Sequence, residues 1–382
     1  VYDLIVVGGG PAGASAARRA AKIGLETLLI EKEQFPRYKA CAGALSQRAM
    51  SYLDFDIPDH IIEREVFGAR VHFNGRVIER RKDYRLSVLV TRSVLDSYLL
   101  EKTRETGVEV KTGERVVACT EDEDCVEIRT SENVYRGKFV VLAEGSQGRL
   151  KNGVRRKDRK TEYAVAVVTE IEEENEYIDS YIHNAIDLHF GVAKLGYGWI
   201  FPHEGYFSIG IAGLASCMPH PRKVLTDFLR DKDFSGDYRL HAHMLPAGGV
   251  RRKLVGSRVV LTGDAAGFVD AFYGEGLAYA IRSGQIAVDV ISDIVLGEKS
   301  LSSVRRYESV CEAEFGANLR WSLMMSRIMH RFPGIFFRLL AENEEVLDRF
   351  LDVAGAKTTY RSYMTWLMPR VPGFVFRKPG RR

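Results

Sequence analysis

The first 33 residues constrain this chain more than any other stretch. "VYDLIVVGGGPAGASAARRAAKIGLETLLIEKE" reads as strand, glycine turn, helix and second strand. Leu4 to Val7 is a short apolar run, as in a parallel strand buried on both faces. Gly8, Gly10 and Gly13 supply GxGxxG: the first for a tight turn, the second so that a pyrophosphate can approach the backbone, the third for close helix–strand packing. The second strand, expected at Glu26 to Ile30, delivers Glu31, whose carboxylate can accept ribose hydroxyls and would repel a 2′-phosphate. This is a dinucleotide-binding unit. By itself it does not separate FAD from NAD.

At 382 residues the chain exceeds one ordinary core, so two or three domains are expected. The net charge of +4 is too small to argue for nucleic acid. Five cysteines (41, 119, 125, 217 and 311) form no CxxC pair, which suits a reducing, cytoplasmic compartment. The opening strand does not read as a signal peptide. No apolar run reaches the roughly 18 residues that a spanning helix needs, although lying on a membrane stays open.

Two later segments bear on the cofactor. "RVVLTGDAAGFVDAFYGEGLAYAIRSGQIAV" carries a strand ending at Gly263 and Asp264, a loop, then Gly274-Glu275-Gly276 opening a helix. Asp264 can bind a ribityl hydroxyl, or it can merely cap a helix. "KFVVLAEGSQGRL" is another strand, ending in the small-residue turn Ala143 to Gly145. With the N-terminal unit, these segments resemble the FAD-binding domain of the para-hydroxybenzoate hydroxylase-like flavoproteins. Within that group, "FPRYKACAG" (Phe35 to Gly43) and "GYGWIFP" (Gly196 to Pro202) resemble the FPRxKxCGG loop and YxWxFP signature of the geranylgeranyl reductase family. Ala42 replaces a glycine of that loop, and Ala271, Phe272 and Tyr273 stand where the family has proline and then threonine or serine.

The resemblance implies an α/β fold: a Rossmann-like FAD-binding domain, an antiparallel-sheet substrate domain and a C-terminal helical region. The expected FAD-binding pieces are 1–65, 92–158 and 246–314; the substrate domain is 66–91 and 159–245; the helical region is 315–382. It implies FAD contacts from Gly8, Gly10, Ala12, Gly13, Glu31, Cys41, Ala42, Gly43, Arg92, Val116, Gly263, Asp264, Gly274, Gly276 and Leu277. Arg92 begins the RxxxDxxL helix, and Val116 falls where backbone groups approach the adenine. Tyr197, Trp199, Phe201, Pro202, Phe272 and Tyr273 are implied to line the substrate chamber.

Tyr197, Trp199 and Phe201 lie between strand-like runs, of which "YFSIGIAGLA" alternates as a half-buried strand would. The rings can wall a tunnel for a polyprenyl chain, which offers no polar handle, or they can simply fill a core. Their faces can also stabilise a developing cation, which suits Tyr197 and Trp199. Cys41, Tyr197, Tyr273 or a water are candidate proton donors. His183, His189, His203, His241 and His243 show no ligand spacing, so no metal is expected and HxH at 241–243 reads as strand decoration. The reductant is NAD(P)H, bound transiently, or a reduced ferredoxin-like protein. The basic run "GVRRKLVG" could meet such a donor, but reads better as a solvated loop.

Phe315 to Leu340 holds Arg320, Arg327, Arg331 and Arg338 and no acid, with Pro333 expected to break the helix. The chain ends "WLMPRVPGFVFRKPGRR". This region reads either as a peripheral membrane contact or as a helical cap on the substrate domain with a solvated basic tail. The resemblance implies an FAD-dependent reductase that saturates C=C bonds of a polyprenyl lipid. Its rivals are an aromatic hydroxylase or halogenase on the same scaffold, and a flavoprotein electron carrier to a membrane partner.

Overall fold

The computed structural model describes residues 1–234 and 236–371; most of the basic tail read above falls in 372–382, outside the described residues. The strand Tyr2–Val7 sits between Thr27–Glu31 and Val134–Leu142, all parallel, with Glu109–Thr112 and Val259–Leu261 extending the parallel sheet on either side. The second strand thus begins one residue later than expected and includes Glu31. The first half of Val134–Leu142 pairs instead with an antiparallel ribbon, Val126–Thr130 and Val116–Glu121. Leu4, Ile5, Val6, Leu28, Leu29, Val140 and Val260 are fully buried. Each such side chain contributes about 1.5–3 kcal/mol of burial. Helices Pro11–Ile23 and Leu277–Val295 pack closely against each other, because a Cβ on Gly284 would lie 2.3 Å from the Ala12 carbonyl oxygen.

A second, seven-stranded sheet runs in the order 241–246, 163–172, 206–214, 196–202, 185–190, 68–73 and 76–81. The segment starting at Gly196 is its central strand, Gly196–Pro202. Strand alternation puts Tyr197, Trp199 and Phe201 on one face. The neighbouring glycines make room for these rings: a Cβ on Gly210 would sit 2.3 Å from the Trp199 indole. The strand Tyr206–Leu214 is not half-buried as expected, because both faces of the sheet are covered. Phe207, Ile209 and Ile211 pack under the helices Asn175–Tyr181 and Pro221–Asp231. The opposite face meets the C-terminal helices.

Those helices are Ala317–Arg331, Pro333–Glu342, Glu344–Ala354 and Tyr360–Leu367. Pro333 breaks the helix as expected and opens the next one. Met325, Met329, Phe336, Phe337, Leu340 and Phe350 bury against Trp199, Phe201 and Phe190, which is the packing of a helical cap. A small sheet of Ala44–Ser46, Ser87–Leu89 and Arg64–Val66 joins the two large ones, so the stretch 66–91 ends by pairing with the flank of the N-terminal unit. In the run 249–256, Arg252 is not a solvated charge. Its side chain is buried and bonds Asp158 at 2.8 Å and the Ala247 carbonyl oxygen at 2.8 Å.

Candidate active site

The glycine turn has the shape a diphosphate needs. Gly8 has φ +107° and passes so close to Ala143 that a Cβ would meet its carbonyl oxygen at 2.4 Å. A Cβ on Gly13 would overlap the Gly8 carbonyl oxygen at 1.8 Å. A Cβ on Gly10 would meet only Arg37 Nη2, at 3.4 Å, so the backbone here is open to a ligand. Gly10 caps the helix without a side-chain bond, leaving first-turn N–H groups directed outward. Glu31 accepts from Gly9 N at 2.6 Å and Glu33 N at 2.9 Å. Those bonds orient its carboxylate and leave lone pairs for two hydroxyls. Glu114 N bonds the Glu31 carbonyl oxygen at 3.0 Å, which brings the segment leading into Val116 beside this corner.

The second and third segments converge on the same turn. A Cβ on Gly263 (φ +55°) would stand 3.1 Å from Ala12 Cβ and 3.3 Å from Ala280 Cβ, and one on Gly276 would be 3.5 Å from Asp264 Oδ1. Asp264 lies in the first turn of the short helix Gly263–Ala266, where its carboxylate faces His243 Nε2 at 3.4 Å. Leu277 packs its side chain into the core with Ala14 and Leu95, so only its backbone at the helix start can face a cofactor.

A nest of charges fills the space between. Arg92 folds back on Asp96 through Nε at 2.8 Å and Nη2 at 3.0 Å, and Arg37 Nη2 reaches the same carboxylate at 3.1 Å. Asp96 is fully buried, and the Arg92 guanidinium also contacts the Cys41 thiol. Lys39 Nζ lies 2.7 Å from His243 Nε2, with Ser146 Oγ 3.4 Å from that nitrogen. Burial lowers the Lys39 pKa to about 8 against the pull of Asp264. Burial opposes ionisation of Asp264, but His243 and Lys39 outweigh it and hold the carboxyl below its usual range. Lys39, Arg37 and Arg92 face Asp96 and Asp264, three cations against two carboxylates, which suits an anionic cofactor. His243 is therefore a site residue and not strand decoration. Asp96 was within reach of sequence reasoning through its four-residue spacing from Arg92; His243 carried no such signal.

Ala42 and Gly43 are held by His203, the residue that follows the aromatic strand. His203 Nε2 bonds the Ala42 carbonyl oxygen at 3.0 Å, while its Nδ1 bonds Glu63. Gly43 has φ +83°, and a Cβ there would collide with the His203 ring and the Val90 carbonyl oxygen, each at 2.6 Å. Cys41 Sγ accepts from Gly43 N at 3.4 Å.

Tyr197, Trp199, Phe201, Phe272 and Tyr273 meet in one apolar cluster with Ala40 and Ala42 at its edge. Pro202 is turned by strand alternation to the other face. A Cβ on Gly274 would be 3.4 Å from Tyr197 Oη, so the aromatic strand lies over the Gly274–Gly276 loop. Tyr273 Oη donates to the Phe350 carbonyl oxygen at 3.1 Å. Burial first, then the charge of Asp270, pushes the pKa of Tyr197 and Tyr273 above the usual phenol range, which makes both poor acids. Asp270 accepts from Phe272 N, Tyr273 N, Ser322 Oγ and Tyr360 Oη at 2.7, 2.9, 2.6 and 3.1 Å, locking this loop to the C-terminal helices.

Away from the site, ligand atoms of His72, Asp187 and His189 lie within 4.8 Å of one another, a grouping their spacing did not suggest. Arg70 already holds Asp187 by two bonds of 2.6 Å, so a cation is present there.

A family profile described as "FAD binding domain" matches residues 1–322. A menaquinone reductase of Mycobacterium tuberculosis is 30% identical over 317 residues, covering 76% of each chain. Digeranylgeranylglycerophospholipid reductase 2 of Methanopyrus kandleri is 28% identical over 368 residues, covering 91% of each. Among solved structures, a geranylgeranyl bacteriochlorophyll reductase-like protein of Thermoplasma acidophilum superposes with TM-score 0.79 at 22% identity, covering 97% of this chain and 98% of that one. A flavin-dependent brominase shares the fold at TM-score 0.75 and 19% identity, covering 97% and 99%. Fold and site thus define an FAD-dependent oxidoreductase of the para-hydroxybenzoate hydroxylase-like type. The chain belongs to the FAD-binding domain family and, within it, to the geranylgeranyl reductase-like flavoproteins.

Proposed function

We propose that the protein saturates C=C bonds of geranylgeranyl or other polyprenyl chains carried by a membrane lipid. The observation that carries this reading is the single cluster in which Tyr197, Trp199, Phe201, Phe272 and Tyr273 meet the Ala40–Ala42 loop on one side and the C-terminal helices on the other. Such a buried cluster, parted around a bound chain, would orient it against the cofactor loop and keep water out. The relatives named for prenyl-lipid and menaquinone reduction support the same direction.

Reduced FAD supplies a hydride when bound. The chain's own contribution begins with the open Gly10 turn and Glu31, which seat the dinucleotide, while Arg37 and Arg92, fixed by Asp96, supply positive charge near it. His203 fixes the Ala42 carbonyl and so the approach of the Cys41–Gly43 loop. Since the hydroxyls of Tyr197 and Tyr273 are already committed to backbone carbonyls, Cys41 is the better proton source. A carbocation developing on the more substituted alkene carbon would face Tyr197 and Trp199. NAD(P)H or a ferredoxin-like protein would provide the electrons.

The test is mass spectrometry of a geranylgeranylated lipid incubated anaerobically with the FAD-loaded protein and dithionite. Products gaining two hydrogens per bond are expected. No mass change across several prenyl lipids, with the flavin bound and reducible, would sink this reading. Oxygen consumption in step with product would then favour a hydroxylase or halogenase, and quinone reduction without saturation an electron carrier.

A further inference from the structure

The elbow between the helices Ala317–Arg331 and Pro333–Glu342 is unlike the rest of the helical cap. Five consecutive residues, Arg331 to Ile335, are exposed there. Phe332 is 50% and Ile335 44% exposed, and Met324, two turns back on the same helix, is 38% exposed. Single exposed apolar residues are ordinary, but a contiguous apolar tip is not.

Charge separates this tip from a generic sticky patch. Residues 315–341 contain no aspartate or glutamate. Arg320 and Arg338 pair with Glu312 and Glu342 beyond the two ends of that stretch. Arg327 and Arg331 lie between them, exposed, and take part in none of the ion pairs among the described residues. Arg331 instead lies over the Phe332 ring, its Cζ 5.2 Å from the centroid. The elbow is therefore an apolar tip with a collar of uncompensated cations.

We infer that this elbow docks on an anionic lipid surface, with Phe332 and Ile335 entering the interface and Arg327 and Arg331 meeting the headgroups. That division of labour is what an interfacial element requires: rings and aliphatic side chains at the acyl boundary, arginines at phosphate level. An acidic protein partner would satisfy the arginines but gives no comparable reason for an exposed Phe–Pro–Gly–Ile tip.

The inner face of the second helix, Pro333–Glu342, gives the docking a purpose that rests on the proposed function. Phe336 lies 6.0 Å from Phe272 between ring centroids, and Phe337 lies 4.7 Å from Phe190, which in turn lies 5.6 Å from Tyr197. An apolar track thus runs from the elbow to the aromatic strand over the cofactor loop. A lipid chain leaving a bilayer at the elbow would remain against apolar side chains throughout.

The experiment is sedimentation of the full-length, FAD-loaded chain with vesicles of phosphatidylcholine alone and with phosphatidylglycerol added, for the native protein, Phe332→Ser/Ile335→Ser and Arg327→Glu/Arg331→Glu. Native protein should partition onto the anionic vesicles and weaken with salt. Each double variant should lose about tenfold in partitioning while keeping bound flavin and its circular dichroism. The same variants should still reduce detergent-dispersed substrate. No native partitioning, or equal partitioning by the variants, would overturn the inference; the latter would move the contact to another surface, such as the basic tail. A native chain that docks through the elbow but saturates no prenyl chain would leave the docking intact and count against the proposed function alone.

Discussion

Tyr197 donates a 2.6 Å hydrogen bond to the backbone carbonyl oxygen of Tyr273, fastening the central strand of one sheet to the loop that opens a helix on the other. Tyr197→Phe removes the donor and leaves that buried carbonyl unpaired, at a cost of about 1–2 kcal/mol. We expect a lowered melting temperature, full FAD content, and reductase activity reduced by less than about tenfold. Complete loss of activity in a flavin-replete variant would give the hydroxyl a part in the chemistry.

Trp199 separates wall from cofactor support. Its indole Nε1 is buried without a hydrogen-bond partner among the described residues, so replacement by phenylalanine sacrifices no polar contact. Alanine would open a cavity worth about 3–5 kcal/mol, and the phenylalanine variant is the cleaner probe. Trp199→Phe should bind FAD stoichiometrically, and Trp199→Ala should do so where it folds, with kcat/KM for the prenyl substrate falling in both. Parallel loss of flavin and turnover would make Trp199 structural.

The glycine turn gives a paired test of space. Among the described residues, the one neighbour of an added Cβ at Gly10 is the end of the Arg37 side chain, whereas at Gly13 it is backbone at 1.8 Å. Gly10→Val should fold normally by circular dichroism yet show no flavin absorbance after reconstitution. Gly13→Ala should lose soluble, folded protein altogether. Stoichiometric flavin in Gly10→Val would refute the pyrophosphate approach at that position.

Lys39 predicts a pH dependence of the apoprotein. Its folded-state pKa of about 8 lies below the ordinary value of 10.5, so between those pH values the unfolded chain binds more protons. Stability must therefore rise with pH across that window as far as this group is concerned. Below it, the partly buried ammonium costs stability that Lys39→Met does not lose. Urea unfolding at pH 7, 8.5 and 10 should show the native apoprotein gaining on Lys39→Met as pH increases. A constant difference would mean that Lys39 is well solvated.

The N-terminal unit was legible because all its determinants are local. Gly8, Gly10, Gly13 and Glu31 lie within a single strand–helix–strand, so their spacing alone identifies the turn, although Ala143 from a distant strand closes it on one side. The approach of Gly263 to Ala12 is implied by the family resemblance and not by spacing, because that contact joins residues 251 positions apart in the chain. His243 and Asp96 differ in the same way. The latter sits one helical turn from Arg92, while the former reaches Lys39 only because the strand His241–Pro246 is the edge of a sheet assembled from seven separated pieces.

The sequence by itself determined the dinucleotide turn, the break at Pro333 and the non-helical character of the aromatic segment, since each follows from backbone sterics within a few residues. Only the tertiary structure decided that both faces of the second sheet are covered and that His203 clamps Ala42. It also decided which arginines near the C-terminus find acids and which do not. These outcomes depend on pairing and packing between distant strands and helices, which residue spacing along the chain does not encode.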